Sequence, residues 1–243
     1  MSGIVRGIAL AAALVALAPA AASAASAATL DRFLEEVDAA YDATRTAMFY
    51  LQRGGDTVAA VELEDALSIW RGKVMAYAGD PPGAFADDAS FADRLAGIEQ
   101  RISEAVSAAS PDAALKAISA VPEDLRRLRA DNRITTFADV VHEANLAMDS
   151  LWQYRDRDFD LAERETADDL RARVAVAHYT YTKCKTAAPP EAAASPAFGR
   201  LVDGTLTSLD KMWDLIAAGD HQGVINILRE VQAFDRLLWL EHG

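Results

Sequence analysis

Apolar residues recur three and four positions apart through almost the whole chain, and that spacing admits little except amphipathic α-helices packed on one another. Leu34, Val37, Tyr41, Thr44, Met48 and Leu51 form one such stripe, stopped by Gly54-Gly55. Leu63, Ala66, Trp70, Val74 and Tyr77 form a second after a cap at Asp56, ended by Gly79-Asp80-Pro81-Pro82-Gly83. Phe91, Leu95, Ile98, Ile102 and Val106 mark a third. Ser110-Pro111 places a capping hydroxyl before a proline at the first helical position and starts a fourth. That fourth helix is expected to reach Arg129 with a kink at Pro122.

Beyond it, Thr136 caps a helix with Phe137, Val141, Ala144, Met148 and Leu151 inside. Leu170, Val174, Ala177, Tyr181 and Cys184 follow, up to Pro189-Pro190. Ser195-Pro196 opens a helix carrying Phe198, Val202, Leu209, Met212 and Ile216. Gly219 ends it, and Asp220 caps the last helix, with Val224, Leu228, Val231 and Leu238 inside. No stretch alternates with period two, so an all-α fold of eight helices is expected.

The two halves carry landmarks in the same order. Ala47-Met48 with Leu51 matches Ala147-Met148 with Leu151, Pro81-Pro82 matches Pro189-Pro190, and Arg94-Leu95 matches Arg200-Leu201. This order predicts an internal duplication into two tandem four-helix bundles, over residues 29–133 and 134–243.

The N-terminal stretch reads as a cleaved export signal. Arg6 is followed by an apolar run at Ile8–Ala18, too short to span a bilayer, then Pro19 and the small-residue sites Ala22-Ser23-Ala24 and Ala25-Ser26-Ala27. The expected signal peptide is residues 1–24, with cleavage as late as 28. No cysteine follows it, which excludes a lipoprotein anchor, and no later run is apolar enough for a membrane span. The expected location is the periplasm or the exterior. Cys184 is alone, so no intramolecular disulfide holds the exported chain.

The formal net charge of −13 argues against nucleic acid and against anionic lipid, which both repel such a chain. No Cys-x-x-Cys-His is present, so haem of the c type is excluded. No phosphate loop, paired-carboxylate or Ser-His-Asp pattern stands out, and an enzyme is not expected.

Metal is the remaining chemistry. His142 has Asp139 one turn before it, Glu143 beside it and Asp149 two turns on. His178, Tyr181 and Cys184 lie one turn apart, and Met148 sits on an inner face. Imidazole, carboxylate, thioether and thiol together suit a transition metal such as copper or iron, and the candidate ligands are His142, Glu143, Met148, His178 and Cys184. The plainer expectation is that Cys184 and Met148 fill the core and that Tyr181 reaches solvent at the end of the bundle.

Two further features stand out. Arg126–Arg133 is a basic run at a helix C-terminus, expected to be a salt-bridged hinge between the halves, with an anion site as the other reading. Asp235 falls near the inner stripe of the last helix and is expected at its rim, because a buried carboxylate needs a partner. The expected function is a periplasmic binding or carrier protein for a transition metal or small ligand. The alternative is an acidic adaptor that docks on a basic periplasmic protein.

Overall fold

The computed structural model describes the backbone from Ala18 and the side chains from residue 29 to Gly243. The charged and apolar parts of the expected signal peptide lie outside these residues. Every regular element described is helical, and no strand occurs among the described residues. No described helix is long and apolar enough to cross a membrane.

Ten α-helices follow in order among these residues: α1 (Ala18–Leu51), α2 (Asp56–Gly72), α3 (Phe91–Val106), α4 (Pro111–Ile118), α5 (Val121–Asp131), α6 (Phe137–Trp152), α7 (Arg164–Ala187), α8 (Pro190–Ala194), α9 (Pro196–Ala218) and α10 (His221–His242). Their starts are chemical. The Ser110 and Ser195 hydroxyls accept the Ala113 and Phe198 N–H, and the Asp220 carboxylate accepts that of Gly223. Gly219 ends α9 in the left-handed region at φ 70°, where a side chain would be strained.

Three departures from the spacing have local causes. The helix expected to kink at Pro122 breaks instead at Ser119-Ala120, and Pro122 takes the first turn of α5, where its missing N–H costs nothing. The stripe ending at Val74 and Tyr77 leaves α2 at Gly72 and continues as a 3₁₀ turn over Val74–Ala78. The buried edge of α1 is led by Phe33 rather than Leu34, which is half-buried.

The chain packs as two compact units. One holds α1 to Ala47 and residues 54–121; the other holds residues 48–53 and 122–243. In the first, α2 packs on α3, and α3 on α4. The Trp70 indole N–H, fully buried, donates to the Leu95 carbonyl at 3.1 Å. Phe33 is the anchor of α1: its ring meets Tyr77, Phe85 and Phe91 at centroid distances of 5.1, 5.2 and 5.6 Å.

In the second unit α6, α7, α9 and α10 form a ring, α6 on α7, α7 on α9, α9 on α10 and α10 on α6. Neighbours run antiparallel. Glu143 meets Lys183 while Ser150 accepts from Arg173 across α6–α7; Lys185 meets Asp203 while His178 meets Asp210 across α7–α9. Phe137 lies against His242 at the α6–α10 end. The ring is therefore up-down-up-down, with α7 and α10 at opposite corners. Gly204 admits the Phe234 ring, whose nearest atom would stand 3.0 Å from an added Cβ.

Truncating Phe33 to Ala removes the ring that three aromatics share and should cost ~3–5 kcal/mol in denaturant unfolding. Leu34→Ala, one position on, should cost about 1 kcal/mol or less, because it is only half-buried. Equal effects would contradict the observed rotation of α1.

Candidate functional site

The five residues expected to bind metal are placed on several different surroundings. Glu143 is exposed and ion-paired with Lys183. His178 is half-buried, its Nε2 3.3 Å from an Asp210 oxygen. Met148 and Cys184 are fully buried among apolar side chains. His142 is half-buried and shares a groove with Glu143 alone of the other four. Among the described residues no three His, Cys, Asp or Glu side chains gather around a point where one ion would sit.

Two other constellations are present, both inside the second unit. One is the groove between α5 and α6. Burial of Arg129 at the end of α5 is offset by a bidentate pair with Asp139, Nε to Oδ2 at 2.9 Å and Nη2 to Oδ1 at 2.6 Å. Asp139 also accepts the Thr136 N–H at 2.9 Å and so serves the start of α6. Burial alone would raise the Asp139 carboxyl; the Arg129 bonds and charge and the Thr136 bonds outweigh it and hold it below its usual range. The basic run thus joins α5 to α6. The two compact units divide at Val121, so the run expected to be a hinge between halves lies wholly within the second.

The chain then turns through Arg133, whose φ of 59° is the one left-handed value among the described non-glycine residues. The groove that results has a volume of about 880 Å³. Ala130, Ile134 and Leu146 give its lining apolar surface, Arg126, Arg133 and His142 bring nitrogen to it, and Glu123, Asp139 and Glu143 bring carboxylates. Arg126 is held by both oxygens of Glu123 at 2.7 Å. Arg133 is exposed and makes no ion pair among the described residues. Burial, and then the Arg126 charge, push His142 below its ordinary value.

The other constellation crosses the core. Asp235 on α10 is 4% exposed, not at the rim. The Tyr181 hydroxyl donates to its Oδ1 at 2.5 Å, from the opposite corner of the ring, and the Asn145 amide donates to the same oxygen at 2.7 Å from α6. Tyr181 is fully buried, so it does not reach solvent at the end of the bundle. The partners of the buried carboxylate are neutral donors, with no cation in hydrogen-bond contact. Burial pushes its pKa up to about 6, against the pull of the Tyr181 and Asn145 bonds; Asp149 raises it further and Arg236 opposes. The Asn145 carbonyl Oδ1 and the Gln232 carbonyl Oε1 are buried with no hydrogen-bond partner. Burial, and then the Asp235 charge, push the Cys184 thiol up to about 12.

The spacing rules missed this core cluster because Asp235 and Asn145 are 90 residues apart. The signal that was available is positional: a carboxylate among Val231, Leu238 and Leu228 on one helical face.

The raised Asp235 pKa has a definite sign. Between about 4 and about 6 the folded chain holds a proton that the unfolded chain has released, so this group's stabilising contribution is full below pH 4 and is lost as pH rises through 6. The shift corresponds to roughly 3 kcal/mol. Asp235→Asn should therefore stabilise the protein by up to ~3 kcal/mol at pH 7.5 in urea unfolding, and the gain should shrink towards zero at pH 4. A gain that does not change with pH would refute a buried ionisable carboxylate. Cys184 should react with a thiol reagent only after denaturation, and the protein should migrate identically on reducing and non-reducing gels. Rapid modification of the native chain would place the thiol at the surface.

The chain matches no protein-family model, no curated protein and no solved structure.

Proposed function

We propose that this is an exported binding protein, without catalytic activity, that takes a small organic acid in the α5–α6 groove. We also propose that residues 1–24 are removed on export to the periplasm or exterior, and that the two halves arose by duplication into tandem bundles. The observation that carries the binding reading is Arg133. It is an exposed guanidinium without an ion pair among the described residues, in a left-handed backbone conformation, and it lines the groove together with Ala130, Ile134 and Leu146. A guanidinium favours a carboxylate, in paired hydrogen bonds, and the apolar lining favours a hydrocarbon body. His142 adds a hydrogen-bonding ring to the same groove.

Two other readings follow from the same chain. The metal-carrier reading rests on His142 and Glu143, which line one groove. The adaptor reading rests on the net charge of −13, which steers a basic partner.

Titration calorimetry of the mature chain with medium-chain carboxylates and their uncharged amides separates these readings. Carboxylates should bind and amides should bind at least ~10-fold more weakly, since a charge-assisted bond contributes about 1.5–3 kcal/mol. Arg133→Ala should remove that preference while leaving the far-UV spectrum unchanged. Equal weak binding of both would sink the organic-acid reading. A stoichiometric metal retained through purification without a histidine tag would favour the carrier of copper or iron instead.

A further inference from the structure

The polar side chains that line the α5–α6 groove divide into those that are engaged and those that are not. All three carboxylates are held: Glu123 by Arg126 and Arg127, Asp139 by Arg129, and Glu143 by Lys183. Three other side chains of the lining, Arg133, Thr135 and His142, make no hydrogen bond and no ion pair among the described residues. Arg133 and Thr135 are exposed and stand together in the turn before α6, whereas His142 is half-buried further along that helix. His142 follows Thr135 by seven positions, which is about 8–10 Å at the helical rise. The groove therefore offers two separate hydrogen-bonding points, with Ala130, Ile134 and Leu146 supplying apolar surface along it.

The two points differ in charge. At the turn, Arg133 is a cation without a counter-ion and suits a carboxylate. At the other point, the charges acting on the His142 ring are Arg126 and Arg129 against Glu123 and Asp139, two of each sign and all four paired. A second carboxylate there would meet Glu123 and Glu143, and an amine would meet Arg126. A hydroxyl adds no charge, and because it both donates and accepts it serves the imidazole whichever ring nitrogen holds the proton. We infer that the acid this groove takes is bifunctional: a carboxylate held at Arg133 and, about seven carbon–carbon bonds away, a neutral hydroxyl held by the His142 ring. A zig-zag chain of that length spans the distance between the two points and lays its methylenes on the apolar lining. The inference rests on the organic-acid reading of the groove and makes it specific: Arg133 selects acids, and His142 selects among them.

Titration calorimetry of the mature chain with octanoate, ω-hydroxyoctanoate and octanedioate tests this. ω-Hydroxyoctanoate should bind about 3–10-fold more tightly than octanoate, the effect of one net hydrogen bond. Octanedioate, charged at both ends, should bind more weakly than ω-hydroxyoctanoate. ω-Hydroxybutanoate is too short to reach His142 from Arg133 and should show no gain over butanoate. His142→Phe should abolish the gain from the hydroxyl, and His142→Gln, which keeps a donor and an acceptor, should retain part of it. Arg133→Ala should weaken octanoate and ω-hydroxyoctanoate alike and leave their ratio unchanged. Octanoate binding through Arg133 with nothing added by the hydroxyl overturns this inference and leaves the organic-acid reading standing. A gain that survives His142→Phe also overturns it. If none of these carboxylates binds, both readings fall together.

Discussion

The hydrogen bond from Tyr181 to Asp235 spans the second unit from one corner to the opposite one, and the arrangement of its four long helices turns on it. Helices α7 and α10 are not neighbours in the ring, so apolar packing between them is indirect. A phenol reaching across the core fixes the rotation of both at once, and Asn145 adds α6 to the same oxygen. Apolar side chains alone tolerate sliding and rotation, since any filled core of the right volume is nearly as stable. A polar cluster does not: each donor that loses its partner is left desolvated, at a cost of about 1–3 kcal/mol. The carboxylate is the costly member of the three. Its environment answers that cost by favouring the protonated form.

The buried pair Arg129–Asp139 solves a different problem with fully charged groups. Here the cation and the anion are both desolvated, but every oxygen of the carboxylate is engaged, by Arg129 and by the Thr136 backbone. The pair therefore holds its charge where Asp235 resists it. One consequence is geometric. Pinning α5 to the start of α6 forces the chain between them through a tight turn, and the turn places Arg133 in the left-handed region. The groove is what that constraint leaves open between the two helices.

Much of the helical layout was legible from local chemistry. Ser110, Ser195, Asp220 and Gly219 mark helix ends by bonds within three or four residues, and each does so as its residue type implies. The stripes on α6, α7, α9 and α10 are buried nearly as the spacing indicates. What could not be read is what depends on distant partners. Phe33 rather than Leu34 faces inward because Tyr77, Phe85 and Phe91 are there to receive it. Pro122 does not kink a helix because the chain has already stopped at Ser119. The candidate ligands His142, Glu143, Met148, His178 and Cys184 have suitable chemistry, but helical spacing says nothing of which neighbouring helix faces them. Glu143 met Lys183, and His178 met Asp210.

Helix α7 shows why its two faces have to be read together. Its inner face carries Leu170, Val174, Ala177, Tyr181 and Cys184, and its outer face carries Val176 and Tyr179, so it is apolar on both sides at mid-length. The inner stripe is the longer and more continuous of the two, so amphipathicity already turns it inward, and polar atoms add to that preference. Tyr181 has a buried acceptor at Asp235, whereas the Tyr179 side chain is exposed to solvent. The flanking pairs Glu143–Lys183 and Asp203–Lys185 are closed in this rotation. The rotation that brings Tyr181 to the buried carboxylate is thus the same one that turns Val176 and Tyr179 to solvent.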